Sequence, residues 1–181
     1  THQTVEISCP GSVKEIQGEE EKELEPGSMV SVTTGDGSCS AQRLILEPET
    51  GTELTVTSLN RSQGHPSYAG RLEILDTEEG LVLVNELPLE DYLKKVVPSE
   101  MPASYEKEAL KAQAVCARTY AYMQMKSNSY RSYGAQIDDS TQFQVYNNVE
   151  TDAKTTQAVQ ETYGKMLYYD GNPVTAYYFS T

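Results

Sequence analysis

The hydrophobic period of this chain changes once, at about residue 87, and that change limits its fold more than any other feature. Over residues 4–60, apolar and polar residues alternate in the short runs TVEIS, MVSVTT, RLILE and ELTVTS, with CPGS, EPGS, TGDGS and EPETG between them. Side chains on a strand point alternately to opposite faces, so this spacing predicts a meander of small antiparallel strands. RLEIL and LVLVNEL, joined by DTEEG, continue it as a hairpin.

From LPLEDYLKKVV onward the spacing is helical. Pro88 suits a first turn, where its missing N–H costs nothing, and Pro98 disfavours helical geometry at Val97, so a short helix is expected to end there. Ser104 reads as the N-cap of a second helix running to about Lys126, with Leu110, Ala114, Ala117 and Ala121 as its apolar stripe. Residues 127–148, polar and rich in tyrosine, read as a long ordered loop. A third helix over 151–164 takes Thr151 or Asp152 as its cap and Gly164 just past its end, and two strands follow around Asp170-Gly171. The expected class is α+β: a small antiparallel β-rich region over 1–66, then a mixed helix and strand core over 67–181, divided within NRSQGHPSYAG.

Charge and composition exclude several functions. Lys and Arg number 14 against 27 Asp and Glu, a formal charge of −13 that opposes phosphate backbones and anionic lipid, so nucleic acid is a poor partner. The acidic run KEIQGEEEKELE (14–25) reads as a solvated loop or exposed strand. Apolar runs such as LVLV are far shorter than the roughly 20 residues of a membrane span. Cys9, Cys39 and Cys116 lack CxxC spacing and only His2 and His65 accompany them, so no metal site and no cofactor are expected. Cys9 and Cys39 are placed to pair if their strands are neighbours and the compartment is oxidising. His65 lies in a turn-like GHPSY with no nucleophile motif nearby, and TTGDGS has no phosphate-loop spacing, which leaves triad and nucleotide chemistry without support.

Glu100 stands alone between Pro98 and Pro102. Read from the residues, it is a cap of the following helix, a solvent-facing carboxylate, or a rigidly held acid able to donate a proton and take one back. Lys111 and Arg118, seven residues apart, share one side of a helix, where they either face solvent or orient a substrate. Gln144 and Tyr146, with Thr162, Tyr177 and Tyr178, offer amides, hydroxyls and flat rings that suit either neutral sugar recognition or ordinary packing.

In their order, YAGRLEI, LVLVNELPLEDYLKKVVPSEMP, EALKAQAVCARTYA, DDSTQFQVY and AVQETYGKMLYYDGNPVTAYYFST resemble the stage II sporulation protein D / LytB family, from Tyr68 to Thr181. Sporulation members of that family are peptidoglycan lytic transglycosylases, and LytB members are enhancers of a cell-wall amidase. The resemblance makes Glu100, in the SEMP motif, the single catalytic acid/base that cuts the bond between N-acetylmuramic acid and N-acetylglucosamine to leave a 1,6-anhydro end. It makes Lys111, Arg118, Gln144, Thr162 and Ser180 substrate-binding positions, to which the residue reading adds Tyr178. Peptidoglycan glycan strands, and alternatively a cell-wall amidase, are the implied partners, and the implied location is extracytoplasmic, at the cell wall or surface. Some sporulation members bind zinc through Cys and His ahead of QVY; YGAQIDDSTQF has neither. The family's pattern continues past YYFST, so further segments of the cleft are expected beyond these residues.

Overall fold

The computed structural model describes residues 1–39, 42–61, 63–127, 129–139, 143–146 and 150–178. Contacts divide the chain into two compact units, Thr1–Leu87 and Pro88–Thr181, and the class is α+β as expected.

Among its described residues, the first unit holds nine strands in two antiparallel sheets. They are β1 (Thr4–Cys9), β2 (Val13–Gln17), β3 (Glu20–Leu24), β4 (Ser28–Thr33), β5 (Leu44–Pro48), β6 (Leu54–Val56), β7 (Ser67–Tyr68), β8 (Arg71–Thr77) and β9 (Gly80–Glu86). One sheet runs β4-β1-β6-β7 and the other β3-β2-β5-β8-β9. This is not the simple meander expected, because β1 pairs with β4 and leaves the β2–β3 hairpin to the other sheet. The alternation is as read: Val5, Ile7 and Cys9 are buried while Thr4 and Glu6 face solvent. The acidic run forms the β2–β3 hairpin, exposed at Glu20–Glu23.

The expected boundary at residue 66 moves to Leu87–Pro88. The reason is pairing: β8 joins β5 through Leu44–Ile74, Ile45–Glu73 and Leu46–Leu72, and β9 joins β8, so both complete the first unit's sheet. Two further ties close that unit. His2 and Leu81 exchange backbone bonds of 2.9 and 2.7 Å. Gly80 (φ +114) permits this close approach, since a Cβ there would stand 2.7 Å from the His2 carbonyl oxygen. Asp76 accepts from the Thr34 hydroxyl (2.6 Å) and the Gly35 N–H (2.8 Å), and these two bonds, the hydroxyl first, hold its carboxyl below the usual range. All three cysteines are thiols, Cys9 and Cys39 buried and Cys116 half-buried.

The second unit packs α1 (Leu89–Glu100), α2 (Lys107–Gln124) and α3 (Ala153–Glu161) against one another, with a short 3-10 turn at Arg131–Tyr133 and a two-stranded ribbon of β10 (Tyr168–Tyr169) and β11 (Asn172–Pro173). Pro88 occupies the N-cap of α1, and Glu90 and Asp91 stand in the first turn, where a helix favours negative charge. Pro98 does not end α1. Its ring lies in the last turn, where only the bond to the Lys94 carbonyl is forfeited, and Met101 N–H still closes the turn on Val97 O at 2.9 Å. Pro102 is the stop: it forces Met101 into extended geometry (φ −138, ψ 121).

The second helix starts later than expected. Its N-cap is Glu106 rather than Ser104, and no side chain caps it, so α2 spans about 27 Å at 1.5 Å per residue. Its alanine stripe is buried as read, with Leu110, Ala114 and Ala117 fully covered. Asp152 caps α3 by accepting from Lys154 and Thr155 N–H. Between β10 and β11 the turn uses positive φ at Asp170 (48) and Gly171 (74). Among the described residues, no helix is long and apolar enough to cross a membrane.

Candidate functional site

Most of the residues singled out in sequence fall into two hydrogen-bonded clusters within the second unit. One gathers around Glu100 and Gln144. The other gathers around Arg118.

Glu100 is the last residue of α1 and half-buried. Its Oε1 accepts a 2.7 Å bond from the Val145 N–H, and the Tyr178 hydroxyl donates to the same oxygen at a longer 3.4 Å. Gln144, 1% exposed, sits behind them. Its Nε2 donates to the Ala117 carbonyl (3.1 Å) and to the Tyr178 hydroxyl oxygen (2.7 Å), while its Oε1 accepts from the Tyr92 hydroxyl (3.2 Å). Tyr92 lies parallel to Tyr146, ring centres 5.4 Å apart, and Tyr178 meets Tyr120 edge to face at 6.4 Å. Burial, and after it neighbouring groups that include the Glu100 carboxylate, push the Tyr92 phenol well above the usual tyrosine range. Burial does the same to Tyr178, with the Gln144 bond opposing it.

The second cluster closes on Arg118, 1% exposed. Its guanidinium takes Glu90 bidentately, Nε to Oε1 at 2.7 Å and Nη2 to Oε2 at 2.8 Å. The remaining donors reach the carbonyls of Ala114, Val159 and Lys165 and the Thr162 hydroxyl. Thr162 is itself buried and donates to the Ala158 carbonyl at 2.7 Å. This cluster therefore ties the start of α1 to α2 and to the end of α3. Over it lies an open groove of about 570 Å3, lined by Glu90, Asp91, Lys94, Gln160 and Tyr163 among others.

Of the expected substrate contacts, Arg118, Gln144 and Thr162 are buried and their donors meet protein acceptors. Lys111 shares the α3-facing side of α2 with Arg118, as its spacing predicted, but its ion-pair partners are Glu108 (2.9 Å) and Glu161 (3.8 Å). Tyr178 is half-buried and touches Glu100. Ser180 lies outside the described residues. Among the described residues, no group of three or more His, Cys, Asp and Glu side chains is placed to hold a metal ion.

Sequence reading missed Tyr92, Glu90 and the Val145 N–H. Tyr92 precedes Glu100 by eight residues, close to two helical turns, and once α1 is allowed to run through Pro98 that spacing puts both toward one side. Nothing in the sequence marks Glu90 as the partner of an arginine 28 residues later.

A family model described as SpoIID, stage II sporulation protein, matches residues 77–169, just over half of the chain. Stage II sporulation protein D of Bacillus subtilis (strain 168) is 44% identical over 112 residues, covering 54% of this chain and 33% of that protein. The protein of the same name from Bacillus amyloliquefaciens is 40% identical, again covering 54% and 33%. An amidase enhancer of Bacillus subtilis (strain 168) is 46% identical over 89 residues, 49% of this chain and 12% of that protein. The chain thus spans about a third or less of the length of these relatives. The matched stretch runs from the end of β8 through α1, Glu100, α2 and α3 to β10, so it contains the Arg118 cluster and all of the Glu100 cluster except Tyr178, and the chain belongs to the SpoIID family.

Proposed function

We propose that the second unit acts on the glycan strands of peptidoglycan as a lytic transglycosylase in which Glu100 is the single acid/base, at an extracytoplasmic location at the cell wall. The observation that supports this reading is the setting of Glu100: half-buried, with one oxygen anchored by the Val145 N–H and faced by the Tyr178 hydroxyl. A glycosidase that uses water generally needs two carboxyls, about 5–9.5 Å apart. An intramolecular nucleophile removes the need for the second.

In the proposed reaction, Glu100 gives its proton to the glycosidic oxygen between N-acetylmuramic acid and N-acetylglucosamine as the C1–O bond breaks. The ionised Glu100 then takes the proton of the C6 hydroxyl of the same muramic ring, whose oxygen bonds C1. The products are a 1,6-anhydro end and a free N-acetylglucosamine hydroxyl, and Glu100 is again protonated.

The test is mass spectrometry of peptide-free glycan strands treated with the chain and with Glu100→Gln. Anhydro ends, one water lighter than hydrolysis products and lost in the variant, are the expected result; cleavage by Glu100→Gln at the parent rate removes Glu100 from the reaction. A second reading, wall binding that enhances an amidase, is favoured by the likeness to the amidase enhancer. Under it no anhydro ends form, and Glu100→Gln leaves both glycan binding and enhancement unchanged.

A further inference from the structure

The hydrogen bonds behind Glu100 have a direction that chemistry alone imposes. The Ala117 carbonyl is only an acceptor, so the group of Gln144 that meets it at 3.1 Å is the amide nitrogen, and the Tyr92 hydroxyl at the other end donates to the amide oxygen. The second N–H of that nitrogen points to the Tyr178 hydroxyl oxygen at 2.7 Å. An amide nitrogen cannot accept, so Tyr178 receives this bond and its own hydrogen is turned to Glu100 Oε1. Oε1 then faces two donors, Tyr178 O–H and Val145 N–H, while Oε2 has no hydrogen bond among the described residues.

We propose that Gln144 is a positioning residue: it orients the Tyr178 hydroxyl toward Glu100 Oε1, so that in the neutral acid the transferable proton is carried on Oε2. An oxygen already accepting two hydrogen bonds has little capacity to bear a hydrogen of its own, and the other oxygen is the one left to meet a leaving group. The Tyr178 contact, 3.4 Å here, is long for O–H···O and has room to tighten when charge develops on the carboxylate. Parallel stacking on Tyr146 holds the Tyr92 ring at the far end of the relay, and Gln144 itself is buried, so the direction does not reverse by a free amide flip. The proton's role in bond cleavage rests on the reading of Glu100 as the acid; the direction of the relay does not.

The test is a double-mutant cycle of Gln144→Met and Tyr178→Phe in the whole chain, with two readouts. In glycan cleavage, each single variant is expected to lower kcat roughly ten-fold with KM unchanged, and the double variant to be no worse than either. In NMR of the 15N-labelled protein, which needs no substrate, both variants are expected to move the Val145 amide proton in the same direction, because Oε1 loses its second donor, and again the double variant matches a single one. Effects that add in either readout, or a Val145 resonance that Tyr178→Phe moves and Gln144→Met does not, overturn the proposal. If Gln144→Met does not fold, Gln144→Glu takes its place: a carboxylate there draws the Tyr178 hydrogen to itself and produces the same non-additive loss. A parent chain that forms no anhydro ends defeats the transglycosylase reading while the Val145 cycle still decides the relay. Cleavage that needs Glu100 but shows additive losses defeats the relay and leaves that reading standing.

Discussion

Arg118 forms a buried ion pair with Glu90 that ties three helices together. Removing one partner of a buried charged pair leaves the other without compensation, and here Glu90 and the carbonyls of Ala114, Val159 and Lys165 all lose donors. Arg118→Met is expected to cost about 3 kcal/mol, read as a lower urea midpoint, and Arg118→Lys to recover little, since an ammonium cannot span the two Glu90 oxygens in a fork. The tyrosines of the other cluster set an alkaline limit. Free tyrosine ionises near 10.0, whereas Tyr92 and Tyr178 are held above that range in the folded chain, burial being the main cause. Unfolded chains therefore lose these protons first, so the stabilisation is complete below that pH and declines as pH rises past it. Urea midpoints measured from about pH 8 to 11 should fall, and less steeply in Tyr92→Phe; equal slopes in the two proteins defeat this account.

At the scale of elements, helix caps and loop clasps carry separable amounts of stability. Asp152→Ala removes the acceptor of two N–H groups at the start of α3 and is expected to cost about 1 kcal/mol, with Asp152→Asn or Ser restoring most of it. In the first unit, Asp36 is held below the usual carboxyl range chiefly by the Ser38 and Thr33 N–H groups, and Asp76 chiefly by the Thr34 hydroxyl. Both clasp the chain just after β4. A depressed folded value means the stabilisation is present above about pH 4 and lost as pH falls through it, so acid unfolding should be less steep in Asp76→Asn. What the sequence disclosed about these elements follows physical range. The alanine stripe of α2, the Asp152 cap and the Asp-Gly turn are local patterns and were readable. The β1–β4 pairing around a whole hairpin was not, and neither was a helix continuing through Pro98, because the proline's cost depends on how near the helix end lies, which Pro102 decides. The burial of Arg118 and Gln144 depends on partners brought from distant segments, so the sequence left Arg118 between solvent and substrate and Gln144 between sugar recognition and packing.

For the molecule as a whole, the division at Leu87–Pro88 makes a direct prediction. A fragment of residues 1–87 keeps both sheets of the first unit and is expected to unfold cooperatively, whereas 1–66 lacks β8 and β9, leaves β5 as an unpaired edge, and is expected to aggregate or remain unfolded. Circular dichroism during urea titration separates the two. The net charge of −13 gives no bulk attraction to an anionic wall, so under the proposed function glycan binding is expected to change less than about two-fold between low and physiological salt. Both clusters also draw on α2 at positions less than one turn apart: Arg118 donates to the Ala114 carbonyl, and Gln144 to that of Ala117. One residue inserted or deleted between Lys107 and Ala114 swings the rest of the helix by about 100° relative to its start and carries Arg118 away from Glu90 and the Ala117 carbonyl away from Gln144 together. Length differences among relatives are therefore expected to collect in the connecting loops, with the residue count of α2 held constant.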